Sequence, residues 1–327
     1  MKWQIKHIFN YPREKRWGGG CAHFGFHDSE GQQYLLEWDD HWLGKLMPDD
    51  RFEWTAGAVN KGLSQTHIEM DVNHPHHISQ SPDGSLTLSS NGNNKVFKIL
   101  PEKKSAHLFI DTCKLGFVDV GNCVYDLGGN LWVHEIRGCK VWRFNKEGEP
   151  LEVLGNGSPG FQSEPAPFEQ VRFNWIYDMR LGPDGNIYVL DSKNFAVRRI
   201  DIAARTVTTV VGTGFPGGSG DGEDASMATF GSKPGEYFDG PLAMALDEEG
   251  NTYVGDTFNH VLRKVDHSTK VVTTIAGKRN PDLDTRNDPK EADPAKLNLP
   301  MICSLDYFCG CLYVPDMNDD LIVLEKT

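Results

Sequence analysis

Imidazole, amide, carboxylate and phenol side chains recur at matched positions of this 327-residue sequence. Six glycines, Gly31, Gly84, Gly129, Gly185, Gly250 and Gly310, each separate two runs of alternating apolar residues. Seven residues ahead of them stand Phe24, His77, Asn122, Asp178, Ala243 and Cys303, and eight ahead stand His23, His76, Gly121, Tyr177, Leu242 and Ile302. Titratable groups at equivalent places of successive units are expected to converge in one concavity, as a site requires. The pattern is one-sided, because the last two units carry only small or apolar residues there. His23, His77, Asn122 and Asp178 form a candidate set of metal ligands. Imidazole with carboxylate suits zinc, manganese or iron better than calcium. His76 and Tyr177 are candidate proton carriers beside such a cation. Neighbours on a regular strand face opposite sides, so only one of His76 and His77 is expected to reach the concavity.

The elements that must hold these residues are strands. The segment after each glycine has a period of two and is rich in aromatic and β-branched residues, as in Asn186-Ile187-Tyr188-Val189-Leu190-Asp191. A hairpin is therefore repeated six times. A third strand follows in most units, and a fourth in several, as in Thr206 to Val211 and Val271 to Ile275. Four antiparallel strands make a propeller blade, and the expected fold is all-β: one six-bladed β-propeller domain over residues 1–327. The sixth unit ends at Glu325-Lys326-Thr327 after its third strand, leaving a bare edge. The run from Trp3 to Phe9 is expected to supply the missing outer strand and close the ring. The first strand of each blade then lines a central channel, and the matched positions meet there.

Three stretches carry a family resemblance. Asp191-Ser192-Lys193-Asn194 followed by Val197-Arg198-Arg199-Ile200-Asp201, and Asp256-Thr257-Phe258-Asn259-His260 followed by Arg263-Lys264-Val265-Asp266, resemble NHL repeats. Leu131-Trp132-Val133-His134-Glu135 with Lys140-Val141-Trp142-Arg143 resembles a blade of the streptogramin B lyases. That likeness keeps His134 and Glu135 as candidate catalytic residues. The chain is similar in part to the gluconolactonase and senescence-marker propellers, whose divalent cation is held by a Glu, two Asn and an Asp. Asn122 and Asp178 match an Asn and the Asp of that set, whereas no Glu occupies the blade-one position. Asp191 with Asn194, and Asp256 with Asn259, are expected to tie down turns through hydrogen bonds to backbone.

The function expected from these features is a metal-assisted enzyme acting on a small, polar, carbohydrate-derived substrate in the channel. A lyase working by β-elimination leads, a lactone or ester hydrolase comes second, and a non-catalytic NHL scaffold that binds protein or peptide comes third. The formal net charge of −13 repels a phosphate backbone, so nucleic acid is not an expected partner. No stretch approaches the roughly 18 apolar residues of a membrane helix, and the N-terminus lacks the apolar segment of a signal peptide. A soluble, cytoplasmic protein with its seven cysteines reduced and mostly buried is expected. The Gly- and Asp-rich insertion from Gly212 to Asp239 reads as a surface connection. Trp17, Trp38, Trp42, Trp54 and Trp175 are divided between blade core and a sugar-stacking rim.

Overall fold

The alternating apolar pattern forms six sheets around an axis in a computed structural model, antiparallel except for a short parallel edge pairing in blade one. It describes residues 2–10, 22–38, 41–47, 52–57, 68–161, 164–231, 239–281, 285–316 and 320–327. Trp17 and the side chains of His23 and Trp54 lie outside the described residues. The inner strands of blades one to six are Ala22–His27, Pro75–Gln80, Val120–Tyr125, Ile176–Leu181, Ala243–Leu246 and Asp306–Phe308. Each pairs with the strand that follows it. Blades one and four carry a fifth, two-residue strand on the outer edge, Ile68–Glu69 and Ala166–Pro167. Among the described residues no helix is long and apolar enough to cross a membrane.

Local chemistry explains the repeat. All six turn glycines have φ between 75° and 84°, a left-handed conformation that L side chains rarely adopt. An aspartate three residues earlier often clamps the turn. Asp126 Oδ1 accepts the backbone N–H of Gly128 and Asn130, and Asp247 Oδ1 those of Glu249 and Asn251.

Six residues beyond the glycine, a polar side chain ties down the connection that enters the blade. The N–H of Asn73 donates to Ser90 Oγ, that of Val118 to Glu135 Oε2, that of Asn174 to Asp191 Oδ1, and that of Gly231 to Asp256 Oδ1. Asn194 and Asn259 donate to Asp191 and Asp256, as their spacing implied. Arg198 and Arg263, both fully buried, complete these staples. Arg263 also donates to the carbonyls of Ser219 and Thr229, and so draws the insertion onto blade five.

The ring closes as the sequence requires. Trp3–Asn10 pairs antiparallel with Asp320–Lys326 as the outer strand of blade six. Ile8, 2% exposed, packs into the core between blades five and six with Leu262, Leu312, Ile322 and Leu324. Trp42 is buried and Trp38 half-buried, and six described cysteines are free. Four of these, Cys123, Cys139, Cys303 and Cys311, are buried, in keeping with mostly buried thiols, while Cys113 and Cys309 lie outside the strands and are exposed.

If the seam strand carries closure, Ile8→Ala is expected to destabilise the protein by about 2–5 kcal/mol, read from the urea midpoint. Gln4→Ala, on the exposed face of the same strand, is expected to stay within about 0.5 kcal/mol. Equal effects of the two would show that the strand adds no core.

Candidate active site in the central channel

Inner strands of blades one to four share a feature that blades five and six lack. Their register slips between Ala22 and Phe24, between Pro75 and His77, between Val120 and Cys123, and between Ile176 and Asp178. Such a bulge inserts an unpaired residue and re-aims its side chain. The bulges fall on the positions singled out in the sequence: His23, His76, Gly121 with Asn122, and Tyr177. His76 and His77 stand side by side at one of these bulges, and of the two only His77 lines open space in the channel. Both are buried, at 5% and 2% exposed, and both join one network.

That network closes the channel. His76 Nδ1 lies 3.0 Å from Asn122 Oδ1, and its ring meets Tyr177 edge to face at 5.4 Å. Asn122 Nδ2 donates to Asp178 Oδ1 at 2.5 Å, and the Asn122 N–H donates to His134 Nε2 at 2.8 Å. His134 fits only because residue 121 is glycine, since a Cβ there would come within 2.0 Å of its Cε1. His77 Nδ1 faces the Cys123 N–H at 3.5 Å. Glu135 is not part of this network. Its oxygens accept from the Val118 N–H and from Trp142 Nε1 at 2.8 Å, in the stapling role described above.

Sequence reasoning missed the residue at the centre, Arg180. It follows Asp178 by two on the same strand, so both point the same way, and that period was the available signal. Arg180 Nη2 donates to Asp178 Oδ2 at 3.1 Å and to the Leu305 carbonyl at 2.9 Å, and Nε donates to the Met244 carbonyl at 3.0 Å. Nη1 faces His77 Nε2 at 3.5 Å, and the guanidinium lies over the Phe24 ring at 5.0 Å. One side chain from blade four thus touches blades one, two, five and six.

The electrostatics follow from burial. Desolvation holds the imidazole of His76 down to about 4, against the help of Asn122. His77 is pushed well below the ordinary range by burial and by the Arg180 charge, and His134 chiefly by burial. Burial raises Asp178, and Arg180 opposes it. The three imidazoles are neutral at pH 7 and the charge pair is Asp178 with Arg180.

The described members of the candidate metal set, His77, Asn122 and Asp178, are engaged within the protein. Asp178 spends its oxygens on Arg180, Asn122 and the N–H groups of Met179 and Met244. Asn122 Oδ1 is engaged by His76, and His77 Nε2 faces a guanidinium. Among the described residues no group of three His, Cys, Asp or Glu side chains is placed to hold a metal ion.

The open space lies further along the inner strands than the matched positions, toward the turn glycines. A cavity of about 320 Å³ is lined there by the second halves of these strands, with Arg180 and His77 in its wall together with Ser79, Tyr125, His27 and Asp306.

The comparisons with known proteins agree with this architecture. No protein-family model matches the sequence. The chain is 31% identical over 104 residues to NHL repeat-containing protein 2 of Bos taurus and 31% over 90 residues to that of Homo sapiens, covering 30% and 27% of this chain. The matched stretch spans only 13% and 11% of those relatives. Among solved structures, the chain resembles a catalytically inactive variant of virginiamycin B lyase from Staphylococcus aureus with quinupristin, at a TM-score of 0.60 and 9% identity over 100% of both chains. It also resembles an auxiliary nutrient binding protein from Bacteroides ovatus, at a TM-score of 0.66 and 11% identity over 99% of this chain and 77% of that one.

Two outcomes test the network. Gly121→Ala is expected to cost about 1–3 kcal/mol by overpacking against His134, measured by urea unfolding. His76 titrates near 6.5 unfolded and about 4 folded, so its contribution is full above 6.5 and falls as acid is added, by about 1.4 kcal/mol per pH unit. Asp191 and Asp256, pushed up to about 6 by burial, act in the opposite sense, so the comparison must be with a variant that keeps them. Relative to His76→Gln, the wild type is expected to lose about 3 kcal/mol between pH 7 and 4; a pH-independent difference would mean that His76 protonates freely in place. The chain is a six-bladed β-propeller with homologues among NHL repeat-containing proteins and structural neighbours among the streptogramin B lyases.

Proposed function

We propose that the channel cavity is the active site of a lyase acting on a small, polar, carbohydrate-derived substrate that carries a carboxylate or lactone carbonyl. The observation that carries this reading is Arg180 in the cavity wall with one donor unspent. Of the five N–H groups of a guanidinium, those of Nη2 go to Asp178 and Leu305 and that of Nε to Met244, while Nη1 stands 3.5 Å from His77 Nε2. The second N–H of Nη1 has no partner among the described residues. A substrate oxygen there would meet a donor already fixed by four blades, which is the arrangement that stabilises an oxyanion as it develops.

Loss of a proton next to the bound carbonyl gives such an oxyanion, and expulsion of an oxygen substituent from the adjacent carbon completes a β-elimination. Arg180 supplies the stabilising charge in this reading. The neutral His77 beside it adds no second positive charge, which leaves the guanidinium free to favour an anion. The lyases among the structural neighbours support this choice over hydrolysis by analogy of fold.

A panel of uronic-acid sugars, sugar lactones and β-acyloxy carboxylates tests it. At 100 times Kd, a true ligand stabilises the protein by about 2.7 kcal/mol, visible as a raised melting temperature. Elimination creates a conjugated double bond that absorbs in the ultraviolet, whereas hydrolysis does not. Arg180→Lys is expected to lower kcat about 10²–10³-fold, as loss of an oxyanion donor does. If no member of the panel binds or turns over, the lyase reading fails and a partner-binding scaffold takes its place.

A further inference from the structure

Blade six was silent at the matched positions, yet it brings a carboxylate to the cavity. Asp306 Oδ2 lies 2.5 Å from His27 Nδ1, across the seam between blades six and one. The two side chains are 13% and 5% exposed, and both line the cavity that holds Arg180. The imidazole is clamped from two sides: its ring stacks on Phe308 at 4.8 Å and 6°, and packs against Tyr313 at 4.2 Å. Phe308 reaches that position beside Gly31, where a Cβ would stand 3.3 Å from its ring.

The consequence is a defined tautomer. A carboxylate only accepts, so Nδ1 carries the hydrogen, and in the neutral imidazole the lone pair is the one on Nε2. No described residue bonds to Nε2. A histidine oriented by a carboxylate, with its other nitrogen open to a cavity, is the arrangement by which general bases act. His76, His77 and His134 are unsuited to that task, since burial depresses their basicity and their contacts are within the protein.

The geometry points to His27 as the proton-abstracting base of the channel, with Asp306 as the residue that positions it. This rests on the reading that the cavity is the active site. His27 Nε2 takes the proton from the carbon next to the substrate carbonyl, and the C–H electron pair forms the new double bond. The pair of the adjacent C–O bond leaves with its oxygen, and His27 returns the proton to that oxygen. No oxidant, reductant or cofactor enters the balance.

The base can be tested without knowing the substrate, using 5-nitrobenzisoxazole. Removal of its ring C–H proton forms a nitrile and breaks the N–O bond, and the released phenolate is coloured. The wild type is expected to outrun free imidazole at equal concentration, and His27→Gln to lose about 10²-fold or more, as removal of a general base does. Asp306→Asn is expected to lower the rate in part, and to shift the His27 imidazole away from the Nδ1–H tautomer in ¹⁵N NMR spectra while the melting temperature is kept. Should His27→Gln not fold, carbethoxylation of the wild type at His27, mapped by peptide mass spectrometry, must abolish the elimination. A wild type no faster than imidazole, an undiminished His27→Gln or carbethoxylated enzyme, or an unchanged tautomer in Asp306→Asn would overturn the assignment. Elimination of the probe with no turnover of the sugar panel would support the base while the carbohydrate-lyase reading fails. Sugar turnover that survives His27→Gln would remove the base and leave the Arg180 site standing.

Discussion

A single guanidinium spans the axis of this ring. Arg180 leaves blade four, pairs with Asp178 beneath it, and donates to backbone carbonyls of blades five and six. It also faces His77 of blade two and Phe24 of blade one. In a propeller each blade packs mainly on its neighbours, so few contacts hold opposite blades in register. Arg180 is such a contact, and its planar fork suits several fixed acceptors in a way that a lysine would not. Removing either partner of the pair strands the other in a buried site, which costs about 3–5 kcal/mol. The geometry of the cavity therefore depends on the same bond that keeps the ring regular.

The bulges show how the sequence reaches that arrangement. A regular strand would send His76 and His77 to opposite sides and leave Asn122 too far from His76 to bond it. Slipping the register at the inner strands of blades two to four brings His76, Asn122 and Tyr177 into a second layer beside the charge pair. That layer is neutral, since desolvation keeps its imidazoles uncharged. It fills one side of the channel with hydrogen bonds and leaves the open volume on the side of the turn glycines. Glu135 looks chemical in the sequence because it stands beside His134, but alternation sends the two to opposite faces. His134 enters the layer and Glu135 staples the loop that carries Val118.

The six-blade ring was legible because its grammar is local: a glycine at each hairpin turn and alternation on either side lie within about ten residues. The site was legible in part. Counting seven and eight residues back from each glycine found His76, His77, Asn122, Tyr177 and Asp178, which the structure brings together. The same count stopped short of the cavity. Four residues before the glycines stand His27, Gln80, Tyr125, Leu181, Leu246 and Asp306, and five before stands Arg180. Polar residues at these positions mark blades one and six as adjacent only if the ring is closed, and the separation of 279 positions from His27 to Asp306 hides that from a linear reading. A metal was expected because imidazoles and a carboxylate converge; Arg180, which the sequence reading left out, is the cation that pairs with that carboxylate.

Closure links stability to the proposed chemistry. Blade six is assembled from both ends of the described chain, with Trp3–Asn10 outermost and Asp306–Phe308 innermost. Asp306 faces His27 because blade six packs against blade one, and blade six is a complete sheet only when the N-terminal strand has docked. Leu305, whose carbonyl receives Arg180, immediately precedes Asp306. The oxyanion donor and the base are thereby tied to adjacent residues of the seam blade. A fluctuation that loosens the seam acts on both at once, so the order of the pair reports the order of the ring.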